Sequence, residues 1–418
     1  MALARAVETE VLVVGAGPAG SGAALSLARS GVQSLVIDRA HFPRDKVCGD
    51  GLPPRAVAAL RRVGLEAALR ERGYRPVEHC RIVGTGGGHL LTDLAPRDCF
   101  PGYSYVVPRR ELDHVLVTAA RAAGAEVWEG VQGLGLLDGD GAPVVEAVDG
   151  AGTTLHLRAQ VVIVADGSRG SFSRRVLPKE HLQAGGVAIR LYMEGVHETG
   201  ALSFFLDRRL LPGYGWVFPG GAAGLPANVG VGMEARALRA GKVGLRSLLR
   251  WFVGPGSLAW PYLSRARAVS EPAAFPLQFS YRRGLRRSGR LLFAGDAANL
   301  VSPLSGEGVA YALESGEEAA RAAVGALRSG DMCRLAAYDR AVRRLLAADY
   351  LGAYLLRRAL VHPTVNNAVV GLLRRDREMA RGGVGILTNT VSPLHLLHPG
   401  VWVRMLSPHR VVSMLRNG

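Results

Sequence analysis

The sequence predicts an α/β protein: a parallel-sheet lobe assembled from separated stretches of chain, an antiparallel sheet inserted into it, and a helical C-terminal region. Three observations predict this. Short apolar runs ending in glycine recur at 10–14, 161–164 and 290–294, as buried parallel strands should. Between about 183 and 280 the pattern changes to short alternating runs, the signature of an antiparallel sheet. Residues 330–418 are mostly helical in period, broken at Pro363, Pro393, Pro399 and Pro408. Of the 418 residues 48% are hydrophobic and 21% charged, which excludes the disordered and fibrous classes.

The first strand, 10–14, leads into Gly15-Ala16-Gly17-Pro18-Ala19-Gly20, a small-residue helix at 21–30, and a second strand at 34–37 that ends at Asp38. This context makes the glycine triplet a dinucleotide fingerprint. Gly15 permits the tight turn, Gly17 lets a pyrophosphate approach the backbone, and Gly20 allows close helix–strand packing. The helix N-terminus supplies N–H donors and partial positive charge. Asp38 can accept hydrogen bonds from an adenosine ribose, and its neighbour Arg39 joins it as a candidate contact. A helix beginning near Val107-Pro108-Arg109 runs to about Gly124 and feeds a strand at 126–128. Residues 134–165 read as a hairpin pair followed by the strand at 161–164, which ends at Asp166-Gly167. The antiparallel runs are 186–193, 201–206, 215–219 and 227–233, interrupted by a helix-like stretch at 235–253.

Two further elements separate FAD from NAD. Asp166-Gly167 follows one buried strand and Gly295-Asp296 follows another, and an aspartate so placed can bond ribityl hydroxyls. Beyond Pro303 comes Gly306-Glu307-Gly308-Val309, where a helix N-terminus can aim its dipole at an electron-rich flavin edge.

These three motifs, in this order, resemble the FAD-dependent fold shared by aromatic hydroxylases, flavin halogenases and geranylgeranyl reductases. Two segments narrow the resemblance. Pro43-Arg44-Asp45-Lys46-Val47-Cys48-Gly49-Asp50-Gly51-Leu52 is similar to the cysteine–glycine segment of geranylgeranyl reductases, and Pro212-Gly213-Tyr214-Gly215-Trp216-Val217-Phe218-Pro219 matches their Tyr-x-Trp-x-Phe-Pro motif. The actinobacterial branch that reduces an isoprenoid double bond in the menaquinone side chain is the most similar. The resemblance covers roughly residues 8–320. It departs where the family often has lysine after Phe-Pro, because this chain has Gly220.

The resemblance implies a Rossmann-like FAD-binding lobe of the hydroxylase type, built from 8–75, 107–182 and 281–330. It also implies an antiparallel substrate lobe from 76–106 and 183–280, followed by C-terminal helices from 331–418. The implied FAD contacts are Ala19, Asp38, Cys48, Gly49, Gly51, Arg109, Val131, Asp296, Gly308 and Val309. Arg109 also fits on its own terms, as a guanidinium near a pyrophosphate. The candidate catalytic residues are Cys48, Tyr214 and Trp216. Cys48 reads either as a small buried hydrophobe or as a thiol with a pKa lowered by Lys46 and Arg44. Tyr214 and Trp216 alternate across Gly215 and so share one face of a strand, either as core or as an aromatic wall for a polyene.

The implied reaction is FAD-dependent saturation of a carbon–carbon double bond in an isoprenoid or polyene, such as the prenyl chain of menaquinone. Tyr214, Cys48 or solvent would supply the proton. Positioning must provide much of the acceleration, because an isolated alkene is poorly polarised. The alternative is an FAD-dependent monooxygenase, hydroxylating or epoxidising an aromatic or polyketide product. A halogenase needs a lysine near the flavin tunnel, and there is none between Lys46 and Lys179. A prenyl-lipid binder without turnover is a third reading. No second glycine triplet is present, so electrons would come from transient NAD(P)H or from a reductase or ferredoxin-like protein.

Net charge is +16, and 48 of the 51 basic residues are arginine. They are scattered from Arg5 to Arg416 rather than concentrated on one element, which argues against nucleic acid as a partner. Residues 351–418 carry nine arginines against two acidic residues among Leu, Val, Ile and Trp402. A basic amphipathic helix there would suit peripheral contact with an anionic bilayer. Four cysteines without metal-ligand spacing, and no apolar run of spanning length, lead to the expectation of a cytoplasmic protein, peripheral at most on the inner face of the cell membrane.

Overall fold

Val11, Leu12 and Val13 are fully enclosed because both faces of their strand are covered, and this sets the centre of the molecule. The computed structural model describes residues 5–137, 141–182, 184–197, 200–241, 243–279 and 285–397. Strand β1 (Arg5–Val14) is flanked by Thr154–Val164 on one side and β2 (Ser34–Asp38) on the other. Leu291–Phe293 and Glu126–Glu129 extend the sheet outward, and these five strands are all parallel. Helix α1 (Pro18–Arg29) crosses from β1 to β2 and packs against the helix Val309–Ser329. The two helices approach closely: a Cβ on Gly316 would lie 2.1 Å from the Ala19 carbonyl oxygen.

The second sheet has the strand order Arg267–Ala268, Gly186–Glu194, Ala227–Glu234, Tyr214–Phe218, Ala201–Phe205, His79–Val83, His89–Asp93. Neighbours are antiparallel except for Ala201–Phe205 beside His79–Val83. The helices Ala336–Leu360, Pro363–Arg375 and Arg377–Leu387 follow, and the last two close over the His89–Asp93 edge.

Two sequence expectations are corrected. The strand expected at 161–164 is the end of one continuous strand, Thr154–Val164, which runs parallel to β1 from Leu155 to Val164 and whose first half also pairs with Val144–Val148. The helix expected over 235–253 is two helices, Ala235–Gly241 and Leu245–Phe252, with Gly244 capping the second in an extended conformation that no continuing helix adopts.

Candidate active site

Gly15 turns the chain with φ of +103°, and a Cβ there would fall 2.4 Å from the Ala165 carbonyl oxygen. A Cβ on Gly20 would lie 1.7 Å from the Gly15 oxygen, so both glycines are demanded by the protein's own backbone. Gly17 differs: its Cβ would meet only Arg44 Nη2, at 3.8 Å. The space before Gly17 is therefore open, at a helix N-terminus that no side chain caps. The Asp38 carboxylate accepts from the Ala16 amide at 2.8 Å and the Ala40 amide at 2.9 Å, which braces the loop. Val131, buried, donates its amide to the Asp38 carbonyl, and Arg39 is exposed beside it. An open cradle, an uncapped helix start and a strand-end carboxylate together fit the adenosine and pyrophosphate of FAD.

Arg109 is buried and makes a bidentate pair with Asp113, at 2.8 and 2.7 Å. Asp113 also accepts from Arg44 Nη1 at 2.7 Å. Burial opposes charge on both members of the Arg109–Asp113 pair, but the contact prevails, holding Arg109 above and Asp113 below its ordinary pKa. Arg44 and Asp113 were not singled out from the sequence as site residues. Asp296, at the end of Leu291–Phe293, faces Lys46 Nζ at 3.5 Å. Gly308, with no side chain to cap it, starts the long helix Val309–Ser329, whose first turn gives one amide to the Glu307 carboxylate.

Across from these groups, Tyr214, Trp216 and Phe218 share one face of their strand, as the alternation predicted. Ring centroids are 6.1 Å apart for Tyr214 and Trp216 and 6.3 Å for Trp216 and Phe218, and Phe204 packs on Tyr214 and Phe218. The Tyr214 hydroxyl donates to the Ser305 carbonyl, and burial pushes its pKa up. The Cys48–Gly51 turn lies against this wall; Cβ atoms on Gly49 and Gly51 would contact Trp216 and Phe218. Burial raises the Cys48 thiol pKa despite Arg109 and Lys46, so the thiol is neutral rather than activated as its cationic neighbours suggested.

Asp50 follows in left-handed backbone, φ +62°. Its Oδ2 accepts from Tyr192 Oη and Asn228 Nδ2, each at 2.7 Å. Its buried Oδ1 has no hydrogen-bond partner among the described residues. Burial lifts its pKa to about 6 against those two donors. Asn228 also holds the Cys48 carbonyl and accepts from Trp216 Nε1, so one amide ties turn to wall. Glu307 takes the Ala310 amide at 2.7 Å, and burial pushes it up to about 7. The sequence carries Asp50 within the Cys48–Gly51 motif but gives it no role, because its partners are more than a hundred residues away.

A cavity of about 200 Å³ is lined by Cys48, Gly49, Asp50, Gly51, Arg109, Tyr214, Trp216, Asp296, Gly308 and Val309, which the fold therefore brings together. Asp166 is not among its lining residues. Its carboxylate turns back to accept from the Ser173 amide at 2.9 Å, and burial raises it to about 6, so the two strand-end aspartates have different surroundings. A larger cavity of about 790 Å³ shares Pro212, Gly213, Tyr214, Leu304, Arg357, Leu387 and Thr388 with the first. Leu206, Leu360, Val370 and Val384 are among its apolar walls, so it lies between the antiparallel sheet and the C-terminal helices.

Residues 8–197 match the FAD binding domain family. A menaquinone reductase of Mycobacterium tuberculosis is 38% identical over 78% of this chain and 78% of its own length. A digeranylgeranylglycerophospholipid reductase of Methanosphaerula palustris is 30% identical over 79% of this chain and 81% of its own. Among solved structures, a geranylgeranyl bacteriochlorophyll reductase-like protein of Thermoplasma acidophilum superposes with a TM-score of 0.81 at 24% identity, covering 96% of this chain and 99% of that one. A flavin-dependent brominase shares the fold more loosely, with a TM-score of 0.72 at 16% identity over 92% of this chain and 94% of that one.

Proposed function

The chain belongs to the geranylgeranyl reductase family of FAD-dependent oxidoreductases, and from that premise we propose that it saturates carbon–carbon double bonds of an isoprenoid chain, the prenyl tail of menaquinone or a similar lipid. One observation carries the reading: the aromatic-walled cavity at the flavin site adjoins the larger apolar cavity, with Tyr214, Leu304 and Leu387 as shared walls. A long hydrocarbon needs apolar space beyond the ring site, whereas a compact aromatic substrate does not.

In this reading Gly15, Gly17, Ala19 and Gly20 cradle the pyrophosphate, with Arg44 and Arg109 as cations fixed by Asp113. Asp38, Arg39 and Val131 flank the adenosine. Gly295 and Asp296 meet the ribityl chain, and the Gly308–Val309 helix start meets the ring edge. Cys48, Gly49 and Gly51 form the opposite side of the ring site, and Asp166 supports the sheet end behind it. Bound and reduced, FAD supplies hydride to one alkene carbon. Tyr214 and Trp216 hold the polyene flat, and the enclosing wall excludes water. Electrons for the flavin would come from NAD(P)H or from a reductase or ferredoxin-like protein.

Lipid access suits a surface on the C-terminal helices. Leu351, Tyr354 and Leu355 are exposed at i, i+3 and i+4, with Val365 on the next helix and Arg343, Arg344 and Arg358 around them. Leu356, Leu360, Val369 and Leu373 of the same helices line the larger cavity. The patch is suited to an anionic bilayer from which substrate enters. No helix among the described residues is long and apolar enough to cross a membrane. Residues 398–418, the end of the basic segment singled out in the sequence, lie outside the described residues.

The test is anaerobic: dithionite-reduced protein is mixed with menaquinone or geranylgeranyl diphosphate and the products are weighed by mass spectrometry. A gain of two hydrogens is expected. A gain of oxygen in air, with no hydrogenation without it, would establish the monooxygenase instead.

A further inference from the structure

We propose that Asp50 is the acid that protonates the alkene, delivering its hydrogen to the carbon beside the one that receives hydride; the assignment rests on the reductase reading above. Asp50 lines the flavin-site cavity between Gly49 and Gly51, with the aromatic wall against the same turn. Its two oxygens are unlike. Oδ2 accepts from a phenol and an amide, while buried Oδ1 meets no donor among the described residues. That is the arrangement of a neutral carboxyl, with Oδ2 as carbonyl and Oδ1 bearing the hydrogen. The left-handed backbone at a non-glycine residue costs free energy, and the surrounding contacts fix it in place, as at many functional positions.

The step balances. The Oδ1–H bond breaks and a C–H bond forms, while reduced flavin, the two-electron donor, gives hydride to the other carbon. The Asp50 carboxylate left behind keeps the Tyr192 and Asn228 donors. Tyr192 stacks under Arg190, which is paired at 2.8 Å with half-exposed Asp45, and the carboxylate is reprotonated from solvent between turnovers. The ionisable groups around Asp50 are Asp45, Lys46 and Cys48 on its own segment, Arg190 and Tyr192 on the strand Gly186–Glu194, Arg109 at its helix start, and Tyr74. The rivals are weaker acids. Tyr214 spends its hydrogen on Ser305, and burial raises both Tyr214 and Cys48, whereas Asp50 titrates at about 6.

The test compares Asp50→Asn and Asp50→Glu with the wild type, all flavin-loaded. Infrared difference spectra should contain a protonated-carboxyl C=O band in the wild type that is lost as pH rises through about 6 and is missing in Asp50→Asn. In a single turnover with a polyprenyl substrate, Asp50→Asn should lose about 10²-fold or more in flavin reoxidation, the scale of general-acid catalysis, with flavin content and thermal midpoint kept. Asp50→Glu should recover part of the rate; it also provides the spectral subtraction if Asp50→Asn does not fold. Absence of the band at pH 5, or an unchanged rate in a folded Asp50→Asn, overturns the assignment and leaves the reductase reading intact. A wild type that hydrogenates no polyprenyl substrate overturns both.

Discussion

Asp113 and Asp50 are both enclosed carboxyls, and burial pushes each toward neutrality, yet they finish on opposite sides of the ordinary value. Asp113 sits between two guanidinium groups, Arg109 and Arg44. Among the described residues Asp50 is hydrogen-bonded only to a phenol and an amide, and Arg190, paired with Asp45, acts on it from a distance. Here two neutral donors only soften the desolvation of Asp50, whereas two opposite charges reverse that of Asp113. The dinucleotide end of the site thus keeps fixed charges, and the reaction end keeps a hydrogen that can leave.

The largest effect should come from breaking the charged region. Asp113→Ala strands two guanidinium groups, one of them buried, and should cost about 3–5 kcal/mol of unfolding free energy. Urea titration would measure it; a loss no larger than that of an exposed substitution would mean the pair is not enclosed. Next is the pH dependence. A carboxyl whose folded pKa is raised contributes stability that is full below its unfolded value and is lost as pH climbs through the folded value. For Asp50 that window runs from 3.8 to about 6. Across that window the stability lost is on the order of 3 kcal/mol. Asp113 has the opposite sign: its contribution is present above the ordinary carboxylate range and is lost as pH falls below it. Asp50→Asn should therefore flatten the stability profile between pH 4 and 6 and Asp113→Asn its acid limb. Profiles that change in the same direction would refute the contrast.

A gentler change sharpens it. Tyr192→Phe removes one of two donors from Asp50 Oδ2, a loss of about 0.5–1.5 kcal/mol for one hydrogen bond. The carboxyl should then titrate at higher pH, and its infrared band should persist further into the neutral range. A band that moved to lower pH would mean that Tyr192 favours the protonated form.

Local constraints made the dinucleotide half legible. Gly15, Gly17, Gly20 and Asp38 lie within one β-α-β unit, so spacing alone placed them. The face shared by Tyr214 and Trp216 followed from strand periodicity. Other features depended on distant partners. Asp166 and Asp296 look alike as strand-end aspartates, and only the turn reaching Ser173 separates them. Arg44 reads as a charge in a loop until the fold puts Asp113 and open Gly17 beside it. Asp50 was visible within a motif, but its unlike oxygens arise from Tyr192 and Asn228 on two strands of the other sheet.

The smallest effect on stability should come from the surface, where none of this desolvation applies. Leu351→Glu and Leu355→Glu replace exposed side chains and should change unfolding free energy by no more than about 0.5 kcal/mol each. Vesicle binding should respond far more. Each substitution removes apolar area and sets a negative charge among Arg344 and Arg358, directly opposing an anionic bilayer. Co-sedimentation with phosphatidylglycerol vesicles should fall sharply while the wild type binds, and phosphatidylcholine vesicles should retain neither. Hydrogenation of detergent-dispersed substrate should be unaffected, because the cavity walls and Asp50 are untouched. If vesicle binding survived both substitutions, the lipid-facing surface would have to lie elsewhere, and the chain would have to reach the larger cavity by another route.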